Sequence, residues 1–209
     1  MRQPTRRAFA TGSLLLTMSA AGGAWAQTTT NTDALSIGSA TAPIHLVEYA
    51  SMSCPHCAHF HSENWAQLKA NYIDSGRVRF TMQEMLTEPA VAAFAMFQLA
   101  RCGNVDGAEY FRRMGILFDR QRALMATGTV GALIESLVAT GGEWGLTREQ
   151  IMASLNDSAG EARISRSIAV ANAAGVNSTP TFFVNGQRAP DDFATPAGMV
   201  RTLDAALAR

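Results

Sequence analysis

Cys54-Pro55-His56-Cys57 constrains this chain more than any other stretch. It follows an extended apolar run, Ile44-His45-Leu46-Val47-Glu48-Tyr49-Ala50, which reads as a buried strand. It also opens a segment, residues 55–74, in which Phe60, Trp65, Leu68 and Tyr72 fall at helical spacing. A strand that enters a helix through two closely spaced cysteines calls for an α/β architecture and offers redox chemistry. The start of a helix holds unpaired backbone N–H groups and the positive end of the peptide dipoles, so an anionic sulfur is stabilised there. The thiolate is the form that attacks disulfides or leaves from them. Lowering its pKa therefore changes both reactivity and redox poise.

The first residues bear on where such chemistry would operate. Arg2, Arg6 and Arg7 form a basic head, residues 9–24 a short and mildly apolar stretch, and Ala24-Trp25-Ala26 a small-residue cleavage site. This is the pattern of a secretory signal over 1–26, cut after Ala26, and not of a spanning helix. Thr5-Arg6-Arg7-Ala8-Phe9 also fits a twin-arginine signal. The sequence leaves both export routes open, and both end outside the cytoplasm, where disulfides form and persist. Loss of the three leader arginines leaves 14 basic against 17 acidic residues, a net charge of −3. No basic stripe remains, so nucleic acid is not an expected partner. Three cysteines are too few to staple a chain of this length, and the pair at 54 and 57 reads as catalytic rather than structural.

Residues 27–43 are polar and read as a lead-in. Residues 77–83 alternate Val78, Phe80 and Met82 as a strand does, which completes a βαβ unit with a parallel pair and a right-handed crossover. Five helices follow, over 91–102, 108–122, 129–140, 147–155 and 160–174, separated by breaks such as Gly103-Asn104 and Gly141-Gly142. They make a helical block over 87–175. Thr179-Pro180, a strand over 181–184, the turn signal Asn185-Gly186 and a last helix over 196–208 close the chain.

Taken together these stretches resemble the DsbA family of thiol:disulfide oxidoreductases. The residues that carry the likeness are Ile37-Gly38 with Ala42-Pro43, Val47-Glu48-Tyr49 leading into Cys54-Pro55-His56-Cys57, and Gly175-Val176 with the run from Thr179 to Gly186. The resemblance implies a thioredoxin-like α/β fold over 44–86 and 176–209. A helical domain over 87–175 is inserted between the βαβ unit and a cis-Pro hairpin. It implies a periplasmic enzyme that introduces disulfides into exported polypeptides with free thiols, a membrane quinone-linked oxidase that restores it, and no cofactor beyond the Cys54–Cys57 disulfide itself. In that reading Cys54 is the exposed attacking thiol and Cys57 the more buried resolving one. Pro55 suits the first helical turn, where its missing N–H costs nothing. His56 stabilises the Cys54 thiolate by charge or hydrogen bond. Thr179-Pro180 is a cis bond beside the sulfurs, where the Thr179 backbone can pair with substrate.

Glu48 is an acid within an apolar strand, and the family has an acid at the matching position beneath the second cysteine. A buried carboxyl there would hold its proton to higher pH and could exchange it with Cys57. The rivals are a disulfide reductase or isomerase on the same fold, and a periplasmic metal-binding protein built on Cys54, His56, Cys57, His59 and His61. That cluster lacks a second ligand pair, so no metal site is expected. His59 and His61 read instead as a solvated or half-buried part of the helix surface. Cys102, on an apolar helix with Phe94, Phe97 and Leu99, reads as core. The stretch between the cleavage site and the first strand is too short for an added oligomerisation domain, so a monomer that oxidises is expected.

Overall fold

The computed structural model describes Met1 and residues 33–209. The leader, its cleavage site and the start of the polar lead-in therefore lie outside the described residues. The core is a five-stranded mixed sheet in the order β1-β3-β2-β4-β5. Its strands are β1 (Ser36–Ile37), β2 (Ile44–Ala50), β3 (Val78–Glu84), β4 (Thr181–Val184) and β5 (Gln187–Arg188). β2 and β3 run parallel, with Glu48 opposite Met82, and β4 lies antiparallel to β2, with Glu48 opposite Phe182. β1 falls in the polar stretch read as a lead-in. It pairs antiparallel with β3, and the Ser36 and Thr81 hydroxyls are hydrogen-bonded at 2.7 Å. Two residues are too short to show strand alternation, so this edge left no periodic signal.

Alternation along β2 decides what each of its side chains meets. Ile44, Leu46 and Ala50 join the larger core cluster, whereas Val47 and Tyr49 join the smaller one with Ala171, Val176 and Phe183. Glu48 therefore points to the same face as Leu46 and Ala50. That face carries α1 (Pro55–Leu68), which continues through a π-helical turn at Lys69–Ile73, and α7 (Pro196–Leu207). α1 buries Cys57, Phe60, His61, Asn64 and Leu68, positions three or four apart that form one stripe against the sheet. The turn between β4 and β5 has positive φ at both Asn185 (49°) and Gly186 (78°), which is why an Asn-Gly pair occupies it.

Between the sheet segments lie α2 (Ala90–Arg101), α3 (Gly107–Met125), α4 (Val130–Gly142), α5 (Arg148–Leu155) and α6 (Ser158–Ala173). The helical block expected over 87–175 divides by packing. α2 to α5 pack on one another, and α3 also packs on α1. α6 instead packs on β3 and carries Ala171 into the smaller core cluster, so it belongs to the sheet. The block has no core of its own: Phe97, Met114, Leu117, Leu133, Leu137 and Ile151 are continuous with Leu46, Phe60 and Phe80.

A buried polar knot ties the two parts together. The Glu84 carboxylate, at the end of β3, accepts from Arg101 of α2 at 2.5 Å and from the Tyr110 hydroxyl of α3 at 2.7 Å. Arg163 of α6 lies 3.6 Å away. Burial pushes the Tyr110 hydroxyl well above its usual range, so it stays a donor.

Candidate active site

Cys54 is the N-cap of α1, with extended φ and ψ, and no side-chain oxygen takes the capping role. Pro55 sits at the first helical position and is exposed. The N–H groups of the first turn are thus left to the sulfur. All three cysteines are free thiols, and Cys54 is 6% exposed while Cys57 is fully buried. The Cys54 thiol is lowered to about 5, first by a hydrogen bond from the Cys57 thiol, and also by contacts from Thr179 and the backbone N–H groups of Cys57 and His56, with burial opposing. Cys57 is pushed well above its ordinary value, first by burial and then by its bond to Cys54 and the negative charge of Glu48. Two thiols one helical turn apart therefore differ in kind: one is poised as an anion, the other holds its proton.

The Thr179–Pro180 bond is cis and lies against the sulfur, with the Cys54 thiol donating to the Thr179 carbonyl at 3.4 Å. The Thr179 hydroxyl is buried with no hydrogen-bond partner among the described residues in this thiol form. It is the donor that Thr179 can turn to a Cys54 thiolate. A second cis bond, Glu88–Pro89, begins α2.

The loop that delivers Cys54 is held on both sides. Ser51 and Ser53 bond with Thr87, and the Ser53 hydroxyl donates to the Thr87 carbonyl at 2.7 Å. From α3, the Gln121 amide donates to the Met52 carbonyl at 2.7 Å and to the Cys54 carbonyl at 2.9 Å. Gln121 escaped the sequence reading. A buried glutamine in an amphipathic helix carries no motif, and its partners lie 67 and 69 residues away.

Two histidines depart from the sequence expectation. The His56 side chain is exposed and makes no hydrogen bond among the described residues; its backbone N–H is what reaches Cys54. His61, read as part of the helix surface, is 7% exposed. It lies four residues after Cys57 on the buried stripe of α1, and its Nε2 is 2.9 Å from Oε2 of the fully buried Glu48. An acid in an apolar strand and a histidine in an apolar helical stripe are each anomalous alone; facing one another, each explains the other. Among the described residues no group of three His, Cys, Asp or Glu side chains is placed to hold a metal ion. His59 is exposed, and His45, on the far face of β2, bonds through Nε2 to Thr81 at 2.8 Å.

The family profile described as thioredoxin matches residues 29–205. The chain belongs to the thioredoxin family. Within it, the chain resembles a candidate protein-disulfide oxidoreductase of Rickettsia felis, at 30% identity over 152 residues that cover 72% of this chain and 52% of that protein. A Na(+)/H(+) antiporter NhaA of Herminiimonas arsenicoxydans is 32% identical over 153 residues, which cover 72% of this chain and 22% of the antiporter. This member of the thioredoxin family thus spans about half the length of the first relative and less of the second. The crystal structure of Wolbachia pipientis alpha-DsbA1 superposes with a TM-score of 0.72 at 19% identity, over 85% of this chain and 92% of that one. The fold is therefore that of the DsbA proteins, a thioredoxin-like sheet with a helical insertion.

Proposed function

We propose that this chain is a protein-disulfide oxidoreductase that donates disulfides to exported polypeptides in the periplasm. The observation that carries the reading is the contrast between its two thiols. Stabilising the Cys54 thiolate stabilises the reduced protein, which makes the disulfide form the stronger oxidant. A substrate thiolate attacks Cys54 of the Cys54–Cys57 disulfide. A substrate–Cys54 bond forms, the Cys54–Cys57 bond breaks, and the electron pair goes to the Cys57 sulfur. Cys57 holds its proton firmly once it acquires one, with Glu48 beneath it as the exchanging acid. The second substrate thiolate attacks the substrate sulfur of the mixed disulfide, and Cys54 leaves as the thiolate its surroundings favour. The Thr179 backbone beside the sulfurs is the pairing edge for an extended substrate.

Each turnover reduces the pair, so a thiol oxidase must restore it; a membrane quinone-linked partner meets that need. The leader pattern over 1–26 supports export, and the −3 charge of the remainder gives no support to a nucleic-acid partner. A monomer is the state proposed.

The test is disulfide transfer to a reduced, unfolded protein whose regained activity is the readout. The unaltered protein is expected to transfer. Cys54→Ser should abolish transfer, and Cys57→Ser should accumulate enzyme–substrate mixed disulfides visible on non-reducing gels. Full transfer by Cys54→Ser would overturn the mechanism. If the protein reduces disulfides in preference to forming them, the reductase reading replaces this one.

A further inference from the structure

The buried pair Glu48–His61 is built as a unit. Leu46, Glu48 and Ala50 share the face of β2 that meets α1, and Cys57 and His61 stand one turn apart on the stripe of α1 that meets β2. His61 Nε2 is 2.9 Å from Glu48 Oε2, while Glu48 Oε1 is buried with no hydrogen-bond partner among the described residues. Cys57 is the titratable thiol that feels the charge of this carboxyl. The imidazole is boxed by rings: it stacks on Phe118 of α3 at 4.4 Å, and Trp65 and Phe60 of α1 lie at 5.3 and 5.6 Å. Among the groups in ring or hydrogen-bond contact with it, Glu48 of β2 is the charged one; α1 and α3 present aromatic carbon, and the titratable group one turn up α1 is Cys57.

We infer that His61 is the positioning residue for proton exchange at Cys57: it holds Glu48 through Oε2 and sustains its carboxylate form, leaving Oε1 free to take and return the Cys57 proton. The inference rests on the oxidoreductase reading and deepens it. A carboxylate with no partner is costly in an apolar interior, and such a group would keep its proton and could not accept another. A hydrogen bond to the charged form lowers that cost. When the disulfide re-forms, Cys57–SH gives its proton to Glu48, and the Cys57 thiolate attacks Cys54 of a mixed disulfide. The Cys54–Cys57 bond forms, and the other partner leaves as a thiolate with the electron pair of the broken bond. When the disulfide opens, the proton returns from Glu48 to the Cys57 sulfur.

The experiment isolates one step. The reduced protein is converted to its Cys54–glutathione mixed disulfide, and ring closure by Cys57 is followed by acid quench and thiol alkylation from pH 5 to 9. The rate should fall on the acid side as Glu48 loses its capacity to accept a proton. In His61→Phe, which keeps a ring but has no N–H to donate, the acid limb is expected to move to higher pH, with closure at least about tenfold slower below it, the scale of a lost hydrogen bond to a charged group. Glu48→Gln should remove the limb. An unmoved limb in His61→Phe, at whatever amplitude, would show that the ring only fills space and would overturn the inference.

If His61→Phe does not fold, nitrogen-15 NMR of the imidazole in the unaltered protein decides. His61 should carry hydrogen on Nε2 and sense the Glu48 titration, whereas an unprotonated Nε2 or independent titrations would overturn the inference. Failure of the unaltered protein to form or resolve the mixed disulfide removes the oxidoreductase reading itself, an outcome distinct from an unmoved limb.

Discussion

At the scale of single residues, the chemistry comes from giving two chemically identical side chains different surroundings. Cys54 receives donors and the first-turn N–H groups, and Cys57 receives burial and a neighbouring carboxyl. The Cys54 thiolate should be half-formed near pH 5, read as the thiolate absorbance at 240 nm that is missing from Cys54→Ser. Titration near the ordinary value of a free cysteine would contradict this. The same shift is a stability statement. A group whose pKa falls on folding stabilises the folded state above its unfolded pKa, and that stabilisation is lost as pH falls through the folded one. The dithiol form should therefore gain about 2 kcal/mol between pH 5 and pH 7, relative to Cys54→Ser in urea unfolding. The gain levels off in the ordinary thiol range, where the unfolded Cys54 ionises too, and above it Cys57, shifted the opposite way, makes stability fall. The roles of Cys54 and Cys57 were legible because their spacing and the strand before them are local. The partner of Glu48 was not, because His61 meets it only once α1 lies on β2.

At the scale of elements, the site depends on how the loop from β2 to α1 is fastened. Gln121 spans from α3 to two loop carbonyls, and the Cys54 carbonyl also accepts from the Ala58 N–H at 3.2 Å. Gln121→Ala should cost about 2 kcal/mol in urea unfolding, because it removes two hydrogen bonds and strands the Met52 carbonyl, while the Cys54 carbonyl keeps its bond from Ala58. It should also slow disulfide transfer, while Gln121→Glu, which cannot donate, should behave like the alanine variant. A cost below 0.5 kcal/mol for either would show that the clamp is dispensable. Strong periodicity made β2, β3, α1 and the five inserted helices readable, with ends differing by at most three residues once the π-helical turn that continues α1 is counted. What the sequence concealed was the allegiance of α6. Its Ala171 and Ser167 look like ordinary positions of a polar helix, and only contact with Val47 and Gln83 makes it part of the sheet layer.

At the scale of the whole molecule, the helical insertion and the sheet make one cooperative body around the two thiols. Phe118 and Gln121 bring the insertion to the site from α3, and Glu84 binds the sheet to α2 and α3. Glu84→Gln leaves the half-buried Arg101 without the carboxylate it donates to, so it should cost about 2–3 kcal/mol and unfold both parts in a single transition. Separate transitions for the two parts would refute the single body. Reduction and oxidation act on this body as a whole, since the stabilisation of the Cys54 thiolate is present only when the pair is open. The most direct test of the account is therefore the redox equilibrium of the Cys54–Cys57 pair in glutathione buffers, read by thiol alkylation, where each tenfold change in the constant is about 30 mV. The account predicts a potential well above that of the glutathione couple, so that the pair gives its disulfide away; a potential near that of thioredoxin, about −270 mV, would contradict it.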